Sequence, residues 1–264
     1  MLTHLRRLNQ RWNFNRIKST PRERVISLIK SLRPIPIENE LIRLGPNGDG
    51  GYLIPDDLHD IKSCFSPGTG NVTGFEQDCL KRGMKVYMAD KSVDAPMLKG
   101  DSDQYHFIKK YVGCTNNADF MTLDAWAHSV SLQENEDLLL QMDIAGGEYI
   151  SLINVSDSLL SRFRIIVLEF HSLQFLWNPY FFDSADAVLN KILQTHSCVH
   201  IHPNNYQGID CRYGVEIPRV AEFTFLRKDR IRSANKPLEF PHKLDHDNSP
   251  SRHIPLPKVW HTDL

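Results

Sequence analysis

The sequence has no C-x-x-C pair; its five cysteines, Cys64, Cys79, Cys114, Cys198 and Cys211, are odd in number and widely spaced. That disfavours both a disulfide framework and a zinc knuckle, and a reducing, cytoplasmic setting is expected. No apolar stretch approaches the roughly 20 residues of a membrane-spanning helix, and no apolar segment follows the basic residues after Met1. A soluble, unprocessed chain is the expectation. Charge of one sign is lacking as well, since 31 Lys+Arg against 32 Asp+Glu leave a formal net charge of −1. No nucleic-acid partner is expected, because such binders need a positive surface to displace counterions from phosphates. The dinucleotide fingerprint G-x-G-x-x-G is incomplete: Thr73 stands three positions after Gly70, which disfavours NAD or FAD.

What is present is 264 residues with 41% apolar side chains, enough for one sizeable core. Residues 1–40 read as a basic helical extension. Between Met1 and Arg33 the only acid is Glu23, and Leu2, Leu5, Leu8 and Trp12 form a stripe among arginines. Such a stripe packs on the main domain or, less in keeping with the general rule, touches an anionic membrane surface. Thr20-Pro21-Arg22-Glu23 reads as a capping box ahead of Val25, Leu28, Ile29 and Leu32 at helical spacing. Residues 41–230 alternate strands with helices, the pattern of a mainly parallel α/β sheet. Strands are expected at Lys62–Ser66, Lys85–Ala89, Phe107–Val112, Leu138–Met142, Arg164–Phe170, Cys198–His202 and Ala221–Arg227, giving one seven-stranded doubly wound sheet. Helices are expected at Thr73–Arg82, Thr122–His128, Gly147–Asn154 and Ser184–Thr195. Residues 231–264, rich in proline, read as a surface strap or a partly disordered tail whose histidines are solvated.

In open parallel sheets ligands bind beyond the carboxyl ends of the strands, and the informative residues here fall at such ends. Ser66-Pro67-Gly68-Thr69-Gly70 follows the first strand, with glycines that let a ligand approach the backbone. Asp90, at the end of the second strand, offers two acceptor oxygens to the vicinal diol of a ribose. Strand alternation places Glu169 and His171 on one face, and likewise His200 and His202, with Asn204 just beyond.

These segments resemble the FkbM-type methyltransferases, enzymes that use S-adenosylmethionine (SAM) on a Rossmann-like fold. The likeness covers roughly residues 41–227. Its carriers are Leu44 to Tyr52, the Ser66 to Gly70 loop, Thr122-Leu123-Asp124, Asp143-Ile144-Ala145-Gly146-Gly147-Glu148, Leu168-Glu169-Phe170-His171 and His200 to Asn205. One position departs: Ala145 stands where the family usually has its first glutamate after the fourth strand. The resemblance implies a class I methyltransferase fold and methyl transfer to a hydroxyl of a sugar, glycan or glycosylated small molecule. The alternative is an inactive, methyltransferase-like glycan-binding or scaffolding module.

On this reading the cofactor contacts are Gly68, Thr69, Gly70, Asp90, Lys91, Asp124 and Asp143, and Asn47 to Tyr52 help line the cofactor pocket. Asp143 holds the methionyl amino group or orients the acceptor. His171 is the first candidate for the base that takes the hydroxyl proton, with Glu169 orienting it and His202 second. Glu148, Asn204 and Asn205 are candidate substrate contacts; a first-turn carboxylate such as Glu148 equally suits a helix cap, and Asn-Asn beside Pro203 equally suits a turn. Asp143, Glu169 and His171 offer ligation suited to Mg2+, but nothing in the spacing demands a metal, and a metal-free site is preferred.

Overall fold

A computed structural model describes residues 18–100, 103–133, 135–232 and 237–263. The stripe from Leu2 to Trp12 lies outside these residues. The first element is helix α1, Arg22–Ser31, whose Val25, Leu28 and Ile29 are buried together with Leu32. The expected capping box does not form: Pro21 occupies the N-cap, no side chain caps the helix, and Thr20 Oγ1 has no hydrogen-bond partner. Proline has no N–H and sits naturally at a helix start, so a hydroxyl cap there is dispensable.

A hairpin, β1 (Leu41–Leu44) and β2 (Tyr52–Pro55), precedes the sheet. Next come β3 (Ser63–Pro67), α2 (Gly74–Lys81), β4 (Lys85–Ala89) and β5 (Tyr105–Ile108). The expected strand Phe107–Val112 is thus divided. Its second half is β6 (Tyr111–Val112), which leaves the sheet to pair with β7 (Phe120–Met121). Helix α3 (Leu123–Ser129) is capped by Thr122 Oγ1, which accepts from the Ala125 amide. There follow β8 (Leu138–Met142), α4 (Glu148–Asn154), α5 (Asp157–Leu160) and β9 (Phe163–Phe170). Helix α6 (Pro179–Thr195) starts five residues before its expected position, because Asn178 Oδ1 accepts from the Tyr180 and Phe181 amides with proline at N1. The last strands are β10 (His196–Pro203), the hairpin β11 (Ile209–Arg212) and β12 (Val215–Pro218), and β13 (Ala221–Arg227).

The seven-stranded sheet has the order β10-β13-β9-β8-β3-β4-β5. β9, β8, β3, β4 and β5 pair in parallel, while β13 runs antiparallel between β9 and β10. Successive residues of β8 face opposite sides: Leu138, Leu140 and Met142 enter one core, with α1, α3, α4 and α6, and Leu139 the other, with α2 and the β1–β2 hairpin. The chain runs outward from β3 through β4 to β5 and then returns to place β8 on the other side of β3. Strand order therefore reverses between β3 and β8, and a crevice opens beyond their carboxyl ends.

The proline-rich tail is a strap, and its last part belongs to the core. Leu256, Val259 and Trp260 pack in the same apolar cluster as α1, and the Trp260 indole N–H donates to the Glu216 carbonyl at 3.1 Å. Arg33 ties the far end by donating to the Val259 carbonyl and to Asp263. No helix among the described residues is long and apolar enough to cross a membrane.

Candidate functional site

Gly68 and Asp143 face each other across the crevice, one after β3 and the other after β8. Gly68 has φ +86°, and a Cβ there would fall 1.7 Å from the Asp143 carbonyl oxygen, so only glycine fits. Its amide donates to the Ala89 carbonyl, and the Gly70 amide donates to Asp90 Oδ2 at 2.8 Å. Asp90 Oδ1 accepts from the amide and hydroxyl of Ser92. The acid thus staples the glycine loop to the end of β4 and retains lone pairs, chiefly on Oδ2, toward the cavity it lines.

That cavity measures about 820 Å³; Gly68, Asp90, Tyr111, Phe120, Asp143 and Ile150 are among its walls. A smaller one of about 140 Å³ meets it at Gly68 and Asp143 and is lined on its far side by Asp49, Tyr52, Glu76 and Gln141. Thr69 faces this smaller cavity and donates through Oγ1 to the Ser66 carbonyl. Two expected cofactor residues lie apart from both. Lys91 pairs with Asp119, and Asp124 accepts from the amide and hydroxyl of Ser156, joining α3 to the start of α5.

Below the crevice, α4 and β9 gather an acid–imidazole cluster. Glu148, fully buried, accepts through Oε1 from the Ile144 and Gly146 amides at 3.0 and 3.1 Å, the helix-start role the sequence left open. The same oxygen lies 3.2 Å from His171 Nδ1, so Nδ1 carries the proton and donates. His171 Nε2 then faces Asp143 Oδ1 at 3.9 Å and Glu169 Oε1 at 3.7 Å, both beyond hydrogen-bond reach. Asn204 Nδ2 donates to Glu169 Oε1 at 3.0 Å, so this asparagine orients the acid. Tyr52 lies 3.5 Å from the other Asp143 oxygen.

Burial pushes Asp143 up to about 6, with Glu148 and Asp49 adding to the effect against the pull of His171. Burial, then Asp143 and Glu222, raise Glu169 well above the usual carboxylate range. Burial opposes the His171 imidazolium, yet Glu148 and Asp143 outweigh it and the ring titrates above its ordinary value. Glu76 is pushed up to about 7 by burial, partly offset by its hydrogen bond from Ser66.

His202 and Asn205 instead hold the strap in place. His202 Nε2 donates to the His246 carbonyl at 3.0 Å and its Nδ1 faces Asp245 at 3.5 Å, so both nitrogens are engaged and neither is placed to take a substrate proton. Asp245 also accepts from His200 Nε2 at 2.8 Å. Burial works against the Asp245 carboxylate, but the two histidines hold it below the ordinary range. Asn205 donates to the Ser249 and Ser251 carbonyls and accepts from the Ser249 amide and hydroxyl, leaving nothing for a ligand. Tail histidines are not uniformly solvated either: His242 packs edge-on against the His200 ring.

Of the expected Asn47 to Tyr52 segment, Asp49, Gly50 and Tyr52 line the smaller cavity, whereas sequence reasoning did not single out Glu76, Glu222 or Asp245. Glu222 stands directly opposite Glu169 in the β13–β9 ladder, and burial raises it to about 7. Knowing that β13 is antiparallel would have exposed this pair. Asp245 carried no local signal. No protein-family model matches the chain, and a search of curated proteins finds no match.

Proposed function

We propose that the protein is a SAM-dependent O-methyltransferase of the class I, Rossmann-like kind, with a hydroxyl of a sugar, glycan or glycosylated small molecule as acceptor. One observation carries the reading: a glycine loop stapled to Asp90 opens onto a large cavity at the sheet's switch point, and Asp143, a member of the acid–imidazole cluster, lies in its wall. Gly68 in the walls of both cavities, and Gly70 in the smaller, present backbone without a side chain, which suits close approach of a nucleoside-bearing ligand. Asp90 receives the ribose diol, while Tyr111, Phe120 and Ile150 give the base an apolar slot. The smaller cavity, with Asp49, Glu76 and Asp143 around it, suits an ammonium group, and Glu76 Oε2 is buried there without a hydrogen-bond partner.

When bound, SAM supplies a sulfonium methyl: the S–CH3 bond breaks as the acceptor oxygen's electron pair forms the new O–CH3 bond, leaving S-adenosylhomocysteine. The chain's residues hold the acceptor in line and accept the hydroxyl proton within the Asp143, Glu169 and His171 cluster. Titration calorimetry with SAM tests the cofactor half. Saturable binding is expected, and Asp90→Ala should weaken it by about tenfold or more, the loss of a charge-assisted hydrogen bond. Unchanged affinity in a folded variant would sink the assignment of Asp90, and absence of saturable heat would favour a non-catalytic module. A gain of one methylene in glycans incubated with protein and SAM, read by mass spectrometry, tests the acceptor.

A further inference from the structure

We propose that Asp143, Glu169 and His171 form a divalent-cation site. The inference stands on the cluster itself and does not require that SAM be the cofactor. One ligand atom from each residue lies within 4.8 Å of the other two. The gaps of 3.9 and 3.7 Å from His171 Nε2 to the two carboxylates are too long for hydrogen bonds. They match the spacing of about 3 to 4 Å between ligands that share an ion at roughly 2.1 Å.

A second observation points the same way. Glu169 is 3% exposed, and its Oε2 has no hydrogen-bond partner. A buried carboxylate oxygen left in that state costs free energy unless a cation or a proton meets it. The surrounding charge asks for the same thing, since Asp49 and Glu222 also act on Glu169, and the His171 imidazole faces Asp143, Glu148 and Glu169 together.

The supporting shell is that of a metal ligand. Glu148 Oε1 accepts from His171 Nδ1–H, which fixes the tautomer and leaves Nε2 as the donor nitrogen, and Asn204 orients Glu169. Two carboxylates with one imidazole suit a borderline divalent ion such as Mn2+ better than Mg2+, which prefers oxygen alone. Asp143, which lines both cavities, connects the cluster to them. An acceptor hydroxyl entering there would bind the ion and lose its proton more readily, and His171 would then be a ligand in place of a base.

Mn2+ binding to the metal-stripped full chain, followed by electron paramagnetic resonance and calorimetry without SAM, tests the site. One saturable ion per chain is expected, with Kd in the range of about 1 to 100 μM, and a concentration-dependent rise in melting temperature. Glu169→Gln, nearly isosteric and still able to accept from Asn204, should weaken Mn2+ binding by about tenfold or more, and Asp143→Asn likewise. Circular dichroism confirms that each variant is folded. No saturable Mn2+ binding to the parent chain up to about 1 mM, or unaltered binding to both folded variants, would overturn the site. SAM titration of the metal-free protein separates the two ideas. Mn2+ bound without SAM affinity would support the site and count against methyl transfer, and SAM bound without Mn2+ would do the reverse.

Discussion

Gly68 and Gly70 sit two residues apart with positive φ, yet their surroundings predict different costs for the same substitution. A methyl group on Gly68 would overlap the Asp143 carbonyl, whereas a methyl group on Gly70, at φ +53°, would meet nothing within 4 Å. Gly70→Ala should therefore cost about 1 kcal/mol, the backbone contribution alone. Gly68→Ala adds a clash that only separation of β3 from β8 can relieve, so about 3 kcal/mol or more is expected, together with loss of the SAM binding proposed for this loop. Urea denaturation of both variants checks the contrast, and equal costs would mean that the crevice is looser than the geometry implies. At this scale the sequence was legible where a role is local. The glycine loop and Asp90 follow from a strand, a turn and an acid in order. Asp124 and Asn205 did not follow, because their hydrogen-bond partners, Ser156 and Ser249, lie 32 and 44 residues away.

Among the elements, the strands were the most legible, since β3, β4, β8, β9 and β13 are apolar runs of the right length bounded by turns or charges. The strap was least so. Its path depends on single polar anchors, not on a periodic face. Asn205 alone makes four hydrogen bonds to Ser249 and Ser251. Asn205→Ala should free that stretch at a cost of about 2 kcal/mol, with the apolar Trp260 anchor still holding the far end. Hydrogen exchange reads this directly. The Ser249 amide, which donates to Asn205 Oδ1, should lose protection while the β8 and β9 amides keep theirs. Retained protection at Ser249 would show that Asp245 and its two histidines fix the strap by themselves.

For the molecule as a whole, stability against pH is a contest between buried groups of opposite sense. His196 is fully buried; its Nε2–H donates to the Phe163 carbonyl at 2.6 Å, and its Nδ1 meets Thr195 Oγ1, whose hydroxyl can donate to the neutral ring. Burial lowers it to about 4 against that carbonyl bond. The unfolded chain therefore takes up this proton first, and the stability His196 contributes is whole above about pH 6.5 and lost as pH falls toward 4, about 3 kcal/mol at most. Glu76 works in reverse. Its pKa, raised by burial to about 7, makes the folded state bind a proton that the unfolded chain takes up only near 4.5. Its hydrogen bonding agrees: the Ser66 hydroxyl lies against both Glu76 Oε1 and Gln141 Oε1, and one proton cannot serve both acceptors. With Glu76 protonated, its carboxyl donates to Ser66 and Ser66 donates to Gln141, which accounts for these three contacts and leaves only Glu76 Oε2 without a partner. Acidification from about pH 7 to 4.5 thus strengthens the fold through Glu76 by about 3 kcal/mol and weakens it through His196 by a similar amount. Urea midpoints measured between pH 8 and 4 should show the two slopes apart. Relative to the parent, Glu76→Gln should gain about 3 kcal/mol less on acidification from about pH 7 to 4.5, and His196→Gln should lose less by a similar amount, while Asp143, Glu169 and Glu222, also raised by burial, add a gain common to both variants. If both variants kept the parent's profile, neither group would be titrating in the folded interior, and the polar layer under the crevice would have to be wetter than its packing indicates.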